Sequence, residues 1–159
     1  MQRRFLVTLI AAIMAMLSLT TATQASPTFN PVNAANLAAS RQGQWGDQCK
    51  QFVNDIFREA SRGEVALGGG YYSDFVKEGF GRIDPSAAWR GDVIQINVRG
   101  YGDRYEPGMH TAIVMDNLGG GWFNVVDSNW QNDEIIRVHQ WNPHTYAAQR
   151  GMEVNVWRY

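Results

Sequence analysis

The chain holds a single cysteine, Cys49, in the run Trp45-Gly-Asp-Gln-Cys49-Lys-Gln-Phe-Val53. Apolar positions of helical spacing begin just beyond it, so the thiol falls in the first turn of an expected helix. Unpaired N–H groups and the dipole at such a helix start stabilise an anion. With an imidazolium nearby, sites of this kind bring a thiol pKa from about 8.5 down to roughly 3.5–7.5. A mostly ionised thiol is the nucleophile of acyl-transfer chemistry. The competing reading is an inert, buried cysteine that packs as a small hydrophobe. Cys49 lies three residues before Phe52 and beside Gln48, at the end of the apolar face rather than in its middle.

The histidines favour chemistry. His110 opens the run His110-Thr-Ala-Ile-Val-Met-Asp116, and Gly121-Trp-Phe-Asn-Val-Val-Asp127 follows a turn at Asn117-Leu-Gly-Gly120. Pairing Asp116 with Gly121 places His110 directly opposite Asp127, on one face of an antiparallel pair, with Cβ atoms about 4.5–5.5 Å apart. Asn129, two residues on, shares that face. A one-residue slip breaks the arrangement. Ala112 would pair with Val125 and Val114 with Phe123. That apolar face, ending in His, Asp and Asn, is expected to receive the Cys49 helix. Nucleophile, base and orienting group would then be complete.

Behind these residues stand the elements that must place them. Asn33 to Arg41 reads as a short helix that Asn33 can cap. About Asp47 to Ala60 reads as a longer one, burying Phe52, Val53, Ile56, Phe57 and Ala60, with Lys50, Asn54, Asp55, Arg58 and Glu59 largely on the other side. The glycines at 68–70 read as a flexible loop, since no Gly-Lys-Ser/Thr follows. Ser73 to Glu78 reads as a short helix. Strands are expected at Asp92–Val98, Met109–Asp116, Gly121–Asp127, Ile135–His139 and Met152–Arg158. Helices first and an antiparallel sheet afterwards is an α+β arrangement.

Gly46-Asp-Gln-Cys49 at a helix start, Arg90-Gly-Asp-Val93, His110-Thr-Ala-Ile-Val114 and Asp127-Ser-Asn-Trp130 together resemble the CHAP family, cysteine- and histidine-dependent amidohydrolases and peptidases. The resemblance runs from about Trp45 to Asn129. It implies a papain-like half-barrel, with N-terminal helices packed on a C-terminal antiparallel sheet. It also implies that Cys49 is the nucleophile and His110 the base. Asp127 stands where many members carry Glu, and either Asp127 or Asn129 would orient the histidine. Gln48 matches the position credited with donating to the oxyanion, beside the N–H of Cys49. Some members carry an aspartate-rich calcium loop before the cysteine. Residues 41–48 hold only Asp47, so no metal and no cofactor is expected.

The N-terminus sets the expected location. Arg3 and Arg4 precede a 15-residue stretch, Phe5 to Leu19, that is apolar apart from Thr8 and Ser18. Thr23 and Ala25 then flank a cut before Ser26, as in a secretory signal peptide. The stretch is short of the roughly 20 residues that span a bilayer. The expected organisation is a signal peptide over 1–25, a spacer with a short helix over 26–44, and a catalytic domain over 45–159. Removing 25 of 159 residues leaves 134, with 12 basic side chains against 15 acidic, net −3. That balance argues against nucleic acid and offers no polybasic handle for membranes. A secreted or periplasmic protein normally pairs its thiols. Cys49 has no partner within the chain, so it is inert, paired with another molecule, or reactive.

Other features carry less. His139 and His144 lack a third ligand and read as solvent-facing or structural. Asp133-Glu134 reads as a solvated turn, and Arg90-Gly91-Asp92 as a turn into a strand. Trp130, adjoining Asn129, reads as a groove wall, with Trp45 and Tyr72 as further candidates, and Tyr71 and Trp122 as aromatic rings that could also offer a stacking surface or pack in the core. The function expected is a secreted peptidoglycan hydrolase, either N-acetylmuramoyl-L-alanine amidase or cell-wall endopeptidase. Its partners would be peptidoglycan or its stem and cross-bridge peptides. The alternatives are a non-catalytic wall- or host-binding module and a cysteine amidase with a non-wall substrate.

Overall fold

The structure is a computed structural model and describes residues 29–100 and 102–159. The leader expected over 1–25 lies outside the described residues. Helix α1, Pro31–Ser40, begins two residues earlier than expected. Asn30, rather than Asn33, accepts from the Val32 N–H at 2.9 Å, and Pro31 takes the first turn, where its missing N–H leaves no gap. Ala34, Ala35 and Ala38 bury its inner face. Helix α2, Cys49–Ala60, buries Phe52, Val53, Ile56 and Phe57 as the periodicity requires.

The same helix corrects the assignment of its polar side. Lys50 and Asn54 are buried, because the glycine loop folds over them. Lys50 Nζ donates to Asn54 Oδ1 and to the Gly68 carbonyl, both at 2.9 Å, and Asn54 Nδ2 donates to that same carbonyl. Asp74, in helix α3, Ser73–Lys77, accepts from the Gly70 N–H. The loop is tied down rather than free. Asp103 accepts from the Tyr72 and Ser73 N–H groups at the start of α3, a cap that comes from 30 residues away in sequence.

Six antiparallel strands form one sheet: β1 Gly81–Ile83, β2 Val93–Asn97, β3 His110–Gly119, β4 Trp122–Asp127, β5 Arg137–Trp141 and β6 Glu153–Arg158. Their order is β1-β6-β2-β3-β4-β5. β1 escaped the sequence reading, having three residues and little apolar pattern. Helix α4, Pro143–Ala148, escaped it as a six-residue turn capped by Asn142. β5 begins two residues later than expected because Ile136 belongs to the core beneath α2 and its N–H donates to the Gln44 carbonyl.

The β3–β4 hairpin turns at Gly120 and Gly121, both at positive φ, the demand of a two-residue turn matched to strand twist. Two irregularities follow, between Val114 and Asp116 and between Asn117 and Gly119. Each inserts a residue into β3. Val114 therefore pairs with Val125, and Ile113 with Val126, in place of the expected Ala112–Val125 and Val114–Phe123 pairs. The register is displaced by two residues, so Asp127 is not directly opposite His110. An even displacement keeps both on the same face.

The expected docking of α2 is also corrected. Its apolar face packs with Val93, Ile113, Val126 and Trp157. Ala112, Val114, Phe123 and Val125 lie in a second cluster with Trp141 and with Ala147 of α4. The helix covers one face of the sheet while His110 belongs to the other. Thiol and imidazole meet at the end of β3, around its first residues, where the backbone of Thr111 also reaches the sulfur. No helix among the described residues is long and apolar enough to cross a membrane.

Candidate active site

Gly46 fixes the approach to the helix start. A Cβ there would fall 2.5 Å from Ile136 Cγ1 and 2.8 Å from Ser128 Oγ, so only glycine lets this segment close on the sheet. Ser128 Oγ donates to the Asp47 carbonyl at 2.6 Å, and Asp47 takes the left-handed conformation before the chain enters α2. Gln48 is the cap residue, but its side chain does not cap the helix. Cys49 follows as the first helical residue, 6% exposed, its sulfur opening into a cleft of about 370 Å³.

His110 Nε2 contacts Asp127 Oδ2 at 2.7 Å, which leaves Nδ1 for the thiol. Asp127 is fully buried, and His110 nearly so. Burial of Cys49 opposes its ionisation, but hydrogen bonding and charge from His110, with the Thr111 N–H, outweigh it and hold the thiol below its ordinary value. Burial likewise opposes a charge on His110. Asp127 and the thiolate overcome it and push the imidazolium up to about 10. Burial would raise the Asp127 carboxyl, yet His110 and His139 hold it below the usual carboxylate range. The arrangement is a buried thiol and imidazole backed by a carboxylate, at a helix start that favours an anion, and the shifts of all three groups favour the thiolate–imidazolium form over the neutral one.

Asn129 does not reach the His110 ring. Its Oδ1 accepts from the Glu134 N–H at 3.1 Å, its Nδ2 donates to Gln48 Oε1 at 2.7 Å, and Gln48 Nε2 donates to Glu134 Oε1 at 2.7 Å. Three residues thus close a ring that fixes which way each amide faces. Glu134 also accepts from Trp45 Nε1 at 2.9 Å. The turn read as solvated is the hub of this network. Glu134 lies directly before Ile135, where a strand was expected to begin, which gave the sequence reading no signal of a structural role.

His139 is the second residue that sequence reasoning undervalued. Its Nε2 meets the same oxygen, Asp127 Oδ2, at 2.9 Å, and its ring lies 4.7 Å from that of Trp130. Because β5 pairs with β4, Asp127 stands opposite Arg137, and His139, two residues on, shares that face. A shared face with Asp127 was the available signal, hidden by the misplaced start of β5. His144 is exposed and remote from the triad.

Of the expected groove residues, Trp130 lines the cleft and packs edge-on against His110 at 5.3 Å. Trp45 and Tyr72 do not line it. Trp45 is held by Glu134 on the outer side, and Tyr72 packs edge-on against Trp157 at 5.0 Å. Tyr71, the neighbour of Tyr72, takes the wall position, joined by Tyr105 and Tyr146. Among the described residues no group of three or more His, Cys, Asp or Glu side chains is placed to hold a metal ion.

The class defined here is an α+β domain, helices on an antiparallel sheet, with a cysteine at a helix start facing a histidine and an aspartate. No family model matches the chain, and no curated protein does. Solved structures do resemble it. A crystal structure of Ly7917 superposes with a TM-score of 0.53 at 13% identity over 80% of this chain. A crystal structure of Ly7917 with the hydrolyzing product of MDP superposes with a TM-score of 0.54 at 14% identity over the same share. This chain spans 61% of the length of those neighbours. At such identity the likeness is one of fold.

Proposed function

We propose that the chain is an exported cysteine amidohydrolase of the papain-like half-barrel kind, similar to the CHAP family, that cleaves an amide bond of peptidoglycan. The observation that carries the reading is the Cys49–His110–Asp127 alignment, with the 2.7 Å Nε2–Oδ2 contact behind a thiol at a helix start. The crystallisation of Ly7917 with the hydrolyzing product of MDP, muramyl dipeptide, supports the substrate class. The leader-like residues 1–25 support export to a secreted or periplasmic location.

In this reading the Cys49 thiolate attacks the amide carbonyl carbon, and the carbonyl electron pair moves to oxygen. The Cys49 N–H and the second N–H of Gln48 Nε2 receive the oxyanion. The C–N bond then breaks as imidazolium Nδ1 of His110 gives its proton to the departing amine. Neutral His110 next takes a proton from water, which attacks the thioester and releases the acid with regeneration of thiolate and imidazolium. Asp127 keeps Nε2 protonated throughout, which holds Nδ1 toward the sulfur.

The test joins iodoacetamide alkylation against pH with mass analysis of defined muropeptides. Alkylation with a midpoint below that of an ordinary thiol and release of a new amine, both lost in Cys49→Ala, are the expected results. An ordinary thiol titration, no cleavage, and undiminished wall binding by Cys49→Ala would establish a binding module instead. Cleavage of protein amides but no muropeptide would move the substrate away from the wall.

A further inference from the structure

Among the described residues, the cleft that holds Cys49 and His110 is lined by one arginine and no carboxylate. Arg150 lies at its far wall, and the other lining side chains are neutral amides, tyrosines, a tryptophan and a methionine. Arg150 is fixed from three sides. Its guanidinium carbon stacks 3.6 Å from the centre of the Tyr146 ring, and Nη1 donates to the Tyr146 carbonyl at 3.2 Å. On the third side its stem runs against Gly108. A Cβ at that position would fall 3.1 Å from Arg150 Cδ and 3.5 Å from Nε, and Gly108 is at φ +96°.

Arginines on surfaces usually find an acid or wave in solvent. Other arginines here do face carboxylates, as Arg41 with Glu59, Arg137 with Asp133 and Arg158 with the buried Asp92. Among the described residues Arg150 forms no ion pair. Stacking and one bond to a carbonyl hold the guanidinium plane while leaving most of its five N–H donors unused. A preoriented, uncompensated guanidinium matches a carboxylate in a bidentate manner.

We infer that Arg150, braced by Tyr146 and Gly108, is a carboxylate-binding subsite that selects amide substrates bearing a free carboxylate near the scissile bond. The proposal rests on the amidohydrolase reading above and deepens it. With no carboxylate among the described lining residues to compete for it, the Arg150 guanidinium is open to an acid carried by the substrate.

The experiment uses two synthetic N-acetylmuramoyl tripeptides, one with free carboxylates and one with the same groups as carboxamides. Each is titrated calorimetrically against the full chain as Cys49→Ala, with Arg150 intact, as Arg150→Gln and as Arg150→Lys. Turnover of both by chains with Cys49 intact is followed in parallel. The expected result is that the acid form binds about tenfold more tightly than the amide form, the scale of one charge-assisted contact. Arg150→Gln should bring the ratio to about 1, and Arg150→Lys should leave it between the two. The preference in turnover should sit in KM. Equal affinity for the two forms with Arg150 intact, a preference that survives Arg150→Gln, or no binding of either form would overturn the subsite. Turnover separates the two readings. Cleavage of both forms without preference sinks the subsite alone, whereas an Arg150-dependent preference without any cleavage sinks hydrolysis and keeps the subsite.

Discussion

Asn129 donates its Nδ2 to Gln48 Oε1 across 2.7 Å, so the asparagine acts on the amide beside the nucleophile and not on the His110 ring. Glu134 completes the ring and leaves Gln48 one free N–H for the cleft. Replacing Gln48 by Ala should lower kcat about 10²- to 10³-fold with little change in KM, as loss of an oxyanion donor does. Asn129→Ala and Glu134→Ala should lower kcat by less, since each only loosens Gln48. None of the three should move the pH midpoint of Cys49 alkylation. A shift of that midpoint in Asn129→Ala would instead make Asn129 the partner of the imidazole.

Asp127 governs the alkaline limb of the pH profile. Burial disfavours the His110 imidazolium, and the carboxylate reverses that to give a pKa of about 10. Leaving-group protonation needs the imidazolium, so activity should fall as pH rises through about 10. Asp127→Asn removes the group that raises the value, and the falling limb should move to lower pH. The rate at the optimum should also drop, since the amide can leave the ring in the wrong tautomer. Initial rates between about pH 5 and about pH 11 with a muropeptide substrate check both expectations.

How far the sequence carried is decided by parity and by element ends. The His110–Asp127 partnership was readable because strand alternation depends only on whether a displacement is odd or even. Two inserted residues in β3 moved the register and left the face intact. What failed depends on long-range placement. Nothing local to Glu134 announces contact with Gln48, 86 residues away. Lys50 looked solvent-facing by helical angle, and only the loop folding over it reverses that. Tyr71 and Tyr72 are indistinguishable as sequence, and the turn into α3 decides which one faces the cleft.

His139 shares Asp127 Oδ2 with His110, at 2.9 Å against 2.7 Å. It anchors the carboxylate and packs its ring, tilted by 31°, against Trp130, so it is a positioning residue. His139→Phe should keep the ring packing and lose the hydrogen bond. The expected outcome is a kcat lowered about tenfold, on the scale of one hydrogen bond to a charged group, with Cys49 still alkylated at depressed pH. His139→Gln retains a donor and should recover part of the rate. A rate kept by His139→Phe and lost by His139→Gln would place the role of His139 in packing alone.

Lys50 gives a prediction on stability. Burial lowers its pKa to about 8, partly offset by Asp74, Cys49 and Asp103, against an ordinary 10.5. Between those values the unfolded chain binds more protons than the folded one, so the Lys50 contribution grows more favourable as pH rises. Below about pH 8 the full cost of burying the cation is present, and above about 10.5 it is gone. The difference between those limits is at most about 3 kcal/mol. Lys50→Gln keeps a donor for the Gly68 carbonyl and removes the charge. Urea unfolding of the chain with Lys50 and of the Lys50→Gln variant, both in a Cys49→Ala background, checks the expectation. The chain with Lys50 should gain on the variant as pH rises from about 8 to about 10.5. The terms from His110 are common to both chains and cancel in the comparison. A pH-independent difference would mean that the Lys50 ammonium keeps its solvation despite the loop above it.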